Sequence, residues 1–325
     1  MRIALPPTID PGAFAGLDPS TPVHALQGET MGTFWRVLFA DRRNDSRELE
    51  RRIVARLAEL VDALSHWVPG SALSRFNAAA PGVWMPLPPD LGCVIDTALR
   101  IATASDGAFD PAVGAVVDLH GFGPRGPHAA PTDAEVSAAR ARSGFRRLDH
   151  DPTGRRLRQP GGLHLDLSGI AKGYAVDVLA ALLGEAGVAS MLVEIGGELA
   201  GRGVRPDGEP WWVDLEVPAG APAAPLRVAL HGLAVATSGN YVRGDHSIDP
   251  RTGRPSRSGV IACSVVAGSA VEADGWATAL TIAGVEHGLA LADDLGIAAR
   301  LVTARGEHLS RRLRTMLPDE GPSHD

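Results

Sequence analysis

The sequence predicts an α+β fold, with a mixed, largely antiparallel sheet as its core and helices flanking it. Three observations lead there. Extended apolar runs crowd the second half of the chain, separated by Gly and Pro clusters in hairpin-like succession instead of regular βα repeats. The first half carries apolar residues at helical spacing. At 45% hydrophobic and 21% charged composition over 325 residues, the chain has the makeup of an ordinary globular protein with ample material for a core.

Taken in order, TFWRVLF follows a Pro-rich stretch and alternates as a strand does. SRELERRIVARLAELVDALSHW then sets Leu49, Ile53, Leu57, Leu60, Val61 and Leu64 at helical spacing, with Asp45 and Glu48 marking the start as in a capping box. A second helix is predicted over Leu91 to Ala104, and PTDAEVSAARAR offers another, capped by Thr132 with Glu135 three residues on. The apolar extended run LHLDL leads into a helix from about Gly173 to Glu185. SMLVEI, WWVDLEV, LRVAL and VIACSVVAG read as strands; a helix from about Val271 to Leu291 and a strand AARLVTA close the fold. Residues 1–27 read as a Pro-rich leader, 28–317 as one domain and 318–325 as a flexible tail.

Composition narrows the function. A formal charge of -7 with scattered arginines leaves no basic footprint, so nucleic acid is not an expected partner. Cys93 and Cys263 are too few and too far apart for a disulfide framework or a CxxC site, and both read as small apolar packing residues. No uncharged run reaches the roughly twenty residues of a membrane span, and the first thirty residues hold neither an apolar signal core nor a lipobox cysteine. On this basis the chain is expected to be soluble and cytoplasmic.

The stretch DLSGIAKGYAVD holds Lys172, the one lysine among 31 basic Lys and Arg side chains. A compact ammonium suits a crowded phosphate oxygen better than a planar guanidinium does. Gly169 and Gly173 flank it where an extended run turns into a helix, which would aim backbone amides and a cation at an anion. Equally, the glycines could be turn residues and Lys172 a solvated charge. The spacing is not that of a Walker loop, because Gly173 stands where Ser or Thr is needed.

In EADGWATAL, Asp274 and Thr278 stand four apart on a predicted helix and can offer oxygens to one hard cation, or else complement the helix dipole and bond back along the helix. ATSGNYVRGDHSIDPRTGRP is almost all turn residues yet carries His246, the best candidate for a proton acceptor, against the plainer reading of a hairpin loop. His66, His164 and His231 read as structural or surface residues.

Together and in this order, ETMGTFWRV, SALSRFN, DGAFDPAVG, GFGP, DLSGIAKGYAVD, EIGGELAGRG, ATSGNY, HSIDPRTGRP and EADGWATAL resemble the ApbE-type flavin transferases, FAD:protein FMN transferases. The likeness runs from about Gly28 to Leu317. It implies a T-fold-like architecture with an FAD cleft between two lobes. The implied enzyme is a magnesium-dependent transferase that splits FAD, attaches FMN to a Thr or Ser of an acceptor flavoprotein and releases AMP, a post-translational flavinylation. By the same resemblance Met31, Trp67, Ala108, Phe109, Asp110, Asp166, Lys172 and Ile248 would contact FAD. Gly169, Asp274 and Thr278 would hold Mg2+, and His246 would be the catalytic proton acceptor. The alternatives are an FAD pyrophosphatase giving FMN and AMP, or a non-catalytic FAD-binding assembly factor. A DGxTGAT-like acceptor signature is absent from the chain, so the modified residue is expected on another protein. Only VRGD separates Tyr241 from His246, a shorter hairpin than is usual in that family.

Overall fold

The computed structural model describes residues 1–15, 17–42, 46–126, 129–239 and 246–318. At its centre is an eight-stranded sheet. Its order is Gly306–Leu309, Ala298–Thr303, Val260–Ala267, Leu233–Gly239, Glu198–Arg202, Ser190–Ile195, Thr33–Ala40 and Val23–Thr30. Every pairing in it is antiparallel. A smaller sheet sets Arg2–Ala4 parallel to Leu226–Leu230, which pairs antiparallel with Trp211–Leu215. The expected mixed, largely antiparallel arrangement is therefore what the chain adopts.

The run SMLVEI alternates between two burials, not between core and water. Met191, Val193 and Ile195 face one apolar cluster, which also contains Trp35, Val37 and Phe39 and the inner faces of the helices Ser46–Leu64, Pro89–Ala104, Ala171–Glu185 and Ala270–Ala283. Leu192 belongs to a second cluster with Leu199, Val235 and Val266, covered by Trp211, Leu226 and Val228 of the small sheet. Three layers result: helices, large sheet, small sheet. A sheet covered on both faces reads as a continuous apolar run, which is why these strands stand out in the sequence.

Several expectations change. Residues 1–27 carry two strands, Arg2–Ala4 in the small sheet and most of Val23–Thr30 at the edge of the large one. The helix expected over Val271–Leu291 is two, Ala270–Ala283 and Val285–Leu295, parted by Gly284 at φ +83. Leu233–Gly239, partly assigned to a loop by its turn-rich sequence, is an interior strand. Cys263 is buried as expected, whereas Cys93 is exposed. The Thr132–Glu135 capping box is present in full. Asp45, the expected cap of the first long helix, lies outside the described residues. Among the described residues no helix is long and apolar enough to cross a membrane.

Candidate active site

Leu163, Leu165 and Leu167 are all buried, pinning the approach to the Lys172 helix as an extended segment without strand pairing. Asp166 donates its amide to the Pro111 carbonyl at 2.8 Å, and its carboxylate accepts the Ser168 amide at 2.8 Å, folding the turn that opens the helix Ala171–Glu185. Ile170, fully buried, anchors that turn.

The helix is then locked against Ala270–Ala283. A Cβ on Gly173 would lie 2.2 Å from the Ala270 carbonyl oxygen and 2.7 Å from Asp274 Cβ, so only glycine admits this approach. The Gly173 amide donates to Asp274 Oδ2 at 2.9 Å. One turn on, the Asp177 carboxylate accepts the Ala270 amide at 2.8 Å and the Val271 amide at 2.9 Å, capping the second helix from the first. The expectation that the amides beside Lys172 would point at a ligand is corrected for Gly173: its anion is the protein's own carboxylate.

Lys172 pairs with Glu198, the first residue of the strand Glu198–Arg202. The Glu198 carboxyl is pushed up to about 8 by burial and then by the nearby charge of Asp274, against the downward pull of Lys172. Asp274, 5% exposed, is likewise held above the usual carboxylate range by burial, opposed by Lys172 and the Gly173 amide. Two buried acids thus share one described ammonium, an arrangement that favours a further cation.

Asp274 and Thr278 lie on one face of their helix, and Thr278 Oγ1 comes within 3.5 Å of the Gly169 carbonyl oxygen. A carboxylate, a hydroxyl and a carbonyl form an all-oxygen set of the kind Mg2+ takes, with water and substrate completing the shell. The buried, under-compensated Asp274 carboxylate makes these residues a fit for such an ion. Among the described residues no group of three or more His, Cys, Asp or Glu side chains offers a richer cage.

These groups open onto a cleft of about 800 Å³. Its lining includes Trp67, Phe109, Asp110, Asp166, Gly169, Lys172, His246, Ile248, Asp274 and Thr278. Met31 and Ala108, expected beside them, are not in the lining: Ala108 is fully buried, and Met31 sits at φ 49 in the turn between two strands, packed against the core. Trp67 stands 57% exposed, its ring 5.3 Å from that of His66, whose Nδ1 lies 3.7 Å from Asp166. The Asp110 oxygens are occupied by the amides of Ala112 at 2.8 Å and Phe145 at 3.1 Å, so this side chain also builds the wall it lines. His246 meets Phe122 edge-on with centroids 6.3 Å apart, beside Ile248 of the short hairpin Ile248–Asp249 and Arg254–Pro255. The shortened VRGD connection lies outside the described residues.

Sequence reasoning gave no role to Glu198 or Asp177. Glu198 had one signal, a charge directly after Gly196 and Gly197 and before the apolar Leu199 and Ala200; Asp177 had none beyond ending the motif.

A profile of the ApbE family matches residues 31–301. The chain belongs to the ApbE family. An FAD:protein FMN transferase of Salmonella typhimurium is 36% identical over 302 residues, spanning 89% of this chain and 86% of the relative. Among solved ApbE structures, the flavin transferase ApbE from Vibrio cholerae superposes with a TM-score of 0.85 at 34% identity, covering 90% of this chain and 99% of that one. The apo form of the Pseudomonas stutzeri flavinyl transferase ApbE gives 0.84 at 37% identity, with 91% and 97% covered. The ApbE likeness thus spans the layered core and the cleft-lining motifs alike.

Proposed function

We propose that this chain is a magnesium-dependent FAD:protein FMN transferase that modifies a Thr or Ser hydroxyl of an acceptor flavoprotein. The observation that carries the reading is that Lys172, the Gly169, Asp274 and Thr278 oxygens, and His246 line one cleft. The Salmonella relative is named an FAD:protein FMN transferase.

Splitting a phosphoanhydride asks for charge neutralisation and alignment more than for covalent help. Gly169, Asp274 and Thr278 would hold Mg2+, whose charge, when bound, offsets that of the diphosphate. Lys172 adds an ammonium to the phosphate oxygens. Phe109, Asp110, Asp166 and Ile248 shape the cleft for the flavin half, and the exposed face of Trp67 offers a surface for adenine. The acceptor hydroxyl oxygen forms a bond to the FMN phosphorus as the bond from that phosphorus to the bridging oxygen breaks. AMP leaves with the electron pair, and His246 takes the hydroxyl proton at a ring nitrogen.

The test is incubation with FAD and Mg2+, with and without a candidate acceptor, following AMP release and acceptor mass. Acceptor-dependent AMP with covalent FMN supports transfer. AMP without acceptor identifies a pyrophosphatase, and FAD binding without AMP identifies a carrier.

A further inference from the structure

Glu198 is an expensive residue for stability alone. It opens the strand Glu198–Arg202 ahead of buried Leu199, Ala200 and Gly201 and is 3% exposed, and its Oε2 finds no hydrogen-bond partner among the described residues. Asp274 adds like-charge repulsion. A buried ion pair of this kind is commonly matched or bettered by apolar side chains of similar volume, so packing gives no reason for a carboxylate here. What it touches does: Lys172 Nζ donates to Glu198 Oε1.

An ammonium on a four-carbon stem has many rotamers, and a fixed acidic partner selects among them. The Lys172 side chain is 27% exposed and lines the cleft, whereas the Glu198 side chain is 4% exposed. Glu198 borders the same cleft, with its Oε1 engaged by the ammonium. Gly196 and Gly197, both at positive φ, turn the chain so that the strand starts at this point.

We infer that Glu198 is a positioning residue: it holds the Lys172 ammonium in the cleft, aimed at the diphosphate of a bound dinucleotide, and acts only through Lys172. This rests on the reading that Lys172 meets the diphosphate. Because the ammonium is fixed before the ligand arrives, less side-chain freedom is lost on binding.

The test is a double-mutant cycle on the full chain with Lys172→Met, Glu198→Gln and the pair, reading FAD affinity by flavin fluorescence and riboflavin affinity as a control without phosphate. Glu198→Gln is expected to weaken FAD about tenfold, Lys172→Met by at least as much, and the double variant no more than Lys172→Met alone. Riboflavin affinity is expected to hold within about twofold throughout, since a merely structural role would move both ligands. Independent, multiplying effects, or an unchanged affinity in Glu198→Gln, would overturn the positioning role. An unchanged FAD affinity in Lys172→Met would instead overturn the location of the diphosphate. Should Glu198→Gln lose cooperative unfolding, Glu198→Asp, which keeps the charge but retracts it by one methylene, carries the same cycle.

Discussion

The Gly173 amide donates to the Asp274 carboxylate at 2.9 Å, a bond between residues 101 apart in sequence. It fixes the lysine-bearing helix and the oxygen-bearing helix to each other at the wall of the cleft. A Cβ at Gly173 would fall inside the Ala270 carbonyl. Gly173→Ala is therefore expected to destabilise the fold by about 1–3 kcal/mol, the usual cost of overpacking, and to lower FMN transfer disproportionately. Chemical denaturation and a transfer assay measure the two effects.

Lys172→Arg tests whether the ammonium is specifically required. The wider guanidinium has to replace a compact charge already packed against buried Glu198. Transfer is expected to fall about ten- to a hundredfold with the fold intact, because a fork does not substitute for a point charge at a crowded phosphate. A wild-type rate would make the lysine incidental.

Asp274→Asn keeps an acceptor for the Gly173 amide but removes the only carboxylate of the proposed oxygen set. Magnesium affinity and transfer are expected to be lost while stability stays within about 1 kcal/mol of wild type or rises, since an only partly compensated buried charge disappears. In the wild type a chelator should stop transfer and added Mg2+ restore it. Isothermal titration with Mg2+ separates lost metal binding from lost folding.

His246→Gly is expected to reduce transfer about 10²–10⁴-fold while FAD affinity changes little, as befits a proton acceptor. Acceptor mass and flavin fluorescence decide it. Transfer at the wild-type rate would remove His246 from the chemistry.

Asp110 supplies a pH signature. Burial pushes its carboxyl up to about 6, against the amides of Ala112 and Phe145. Because the folded value lies above the unfolded one, ionised Asp110 costs stability above about pH 6, and the cost is relieved as pH falls towards the unfolded value. From pH 7 to 4.5 this one group should favour the folded state by about 1–2 kcal/mol, a gain absent in Asp110→Asn. Urea denaturation of both proteins at the two pH values measures the difference.

Sequence reasoning succeeded where local pattern and layer burial agree. The strands over Ser190–Ile195 and Val260–Ala267 are apolar because both faces are covered, and the Thr132 cap is a local signal. It failed where tertiary packing overrides composition. Leu233–Gly239 ends in turn-like residues but pairs with strands on both sides. Gly284 breaks a helix whose apolar spacing runs straight through it. Residue type and spacing singled out Lys172, Asp274, Thr278 and His246, which line one cleft, but left each with a plainer reading. Met31 and Ala108 came only with family resemblance, and neither lines the cleft. Glu198 and Asp177 act on partners 26 and 93 residues away, which no local window contains.

The bonds from Gly173 and Asp177 to the helix Ala270–Ala283 also set a timetable for biosynthesis. At about 5–20 residues per second, a ribosome needs several seconds or more to extend the nascent chain from one helix to the other. Until then the Asp274 carboxylate is not there to accept the Gly173 amide. The cleft thus awaits nearly the whole polypeptide, and a fragment halted upstream of Asp274 would present an apolar helix face to chaperones instead.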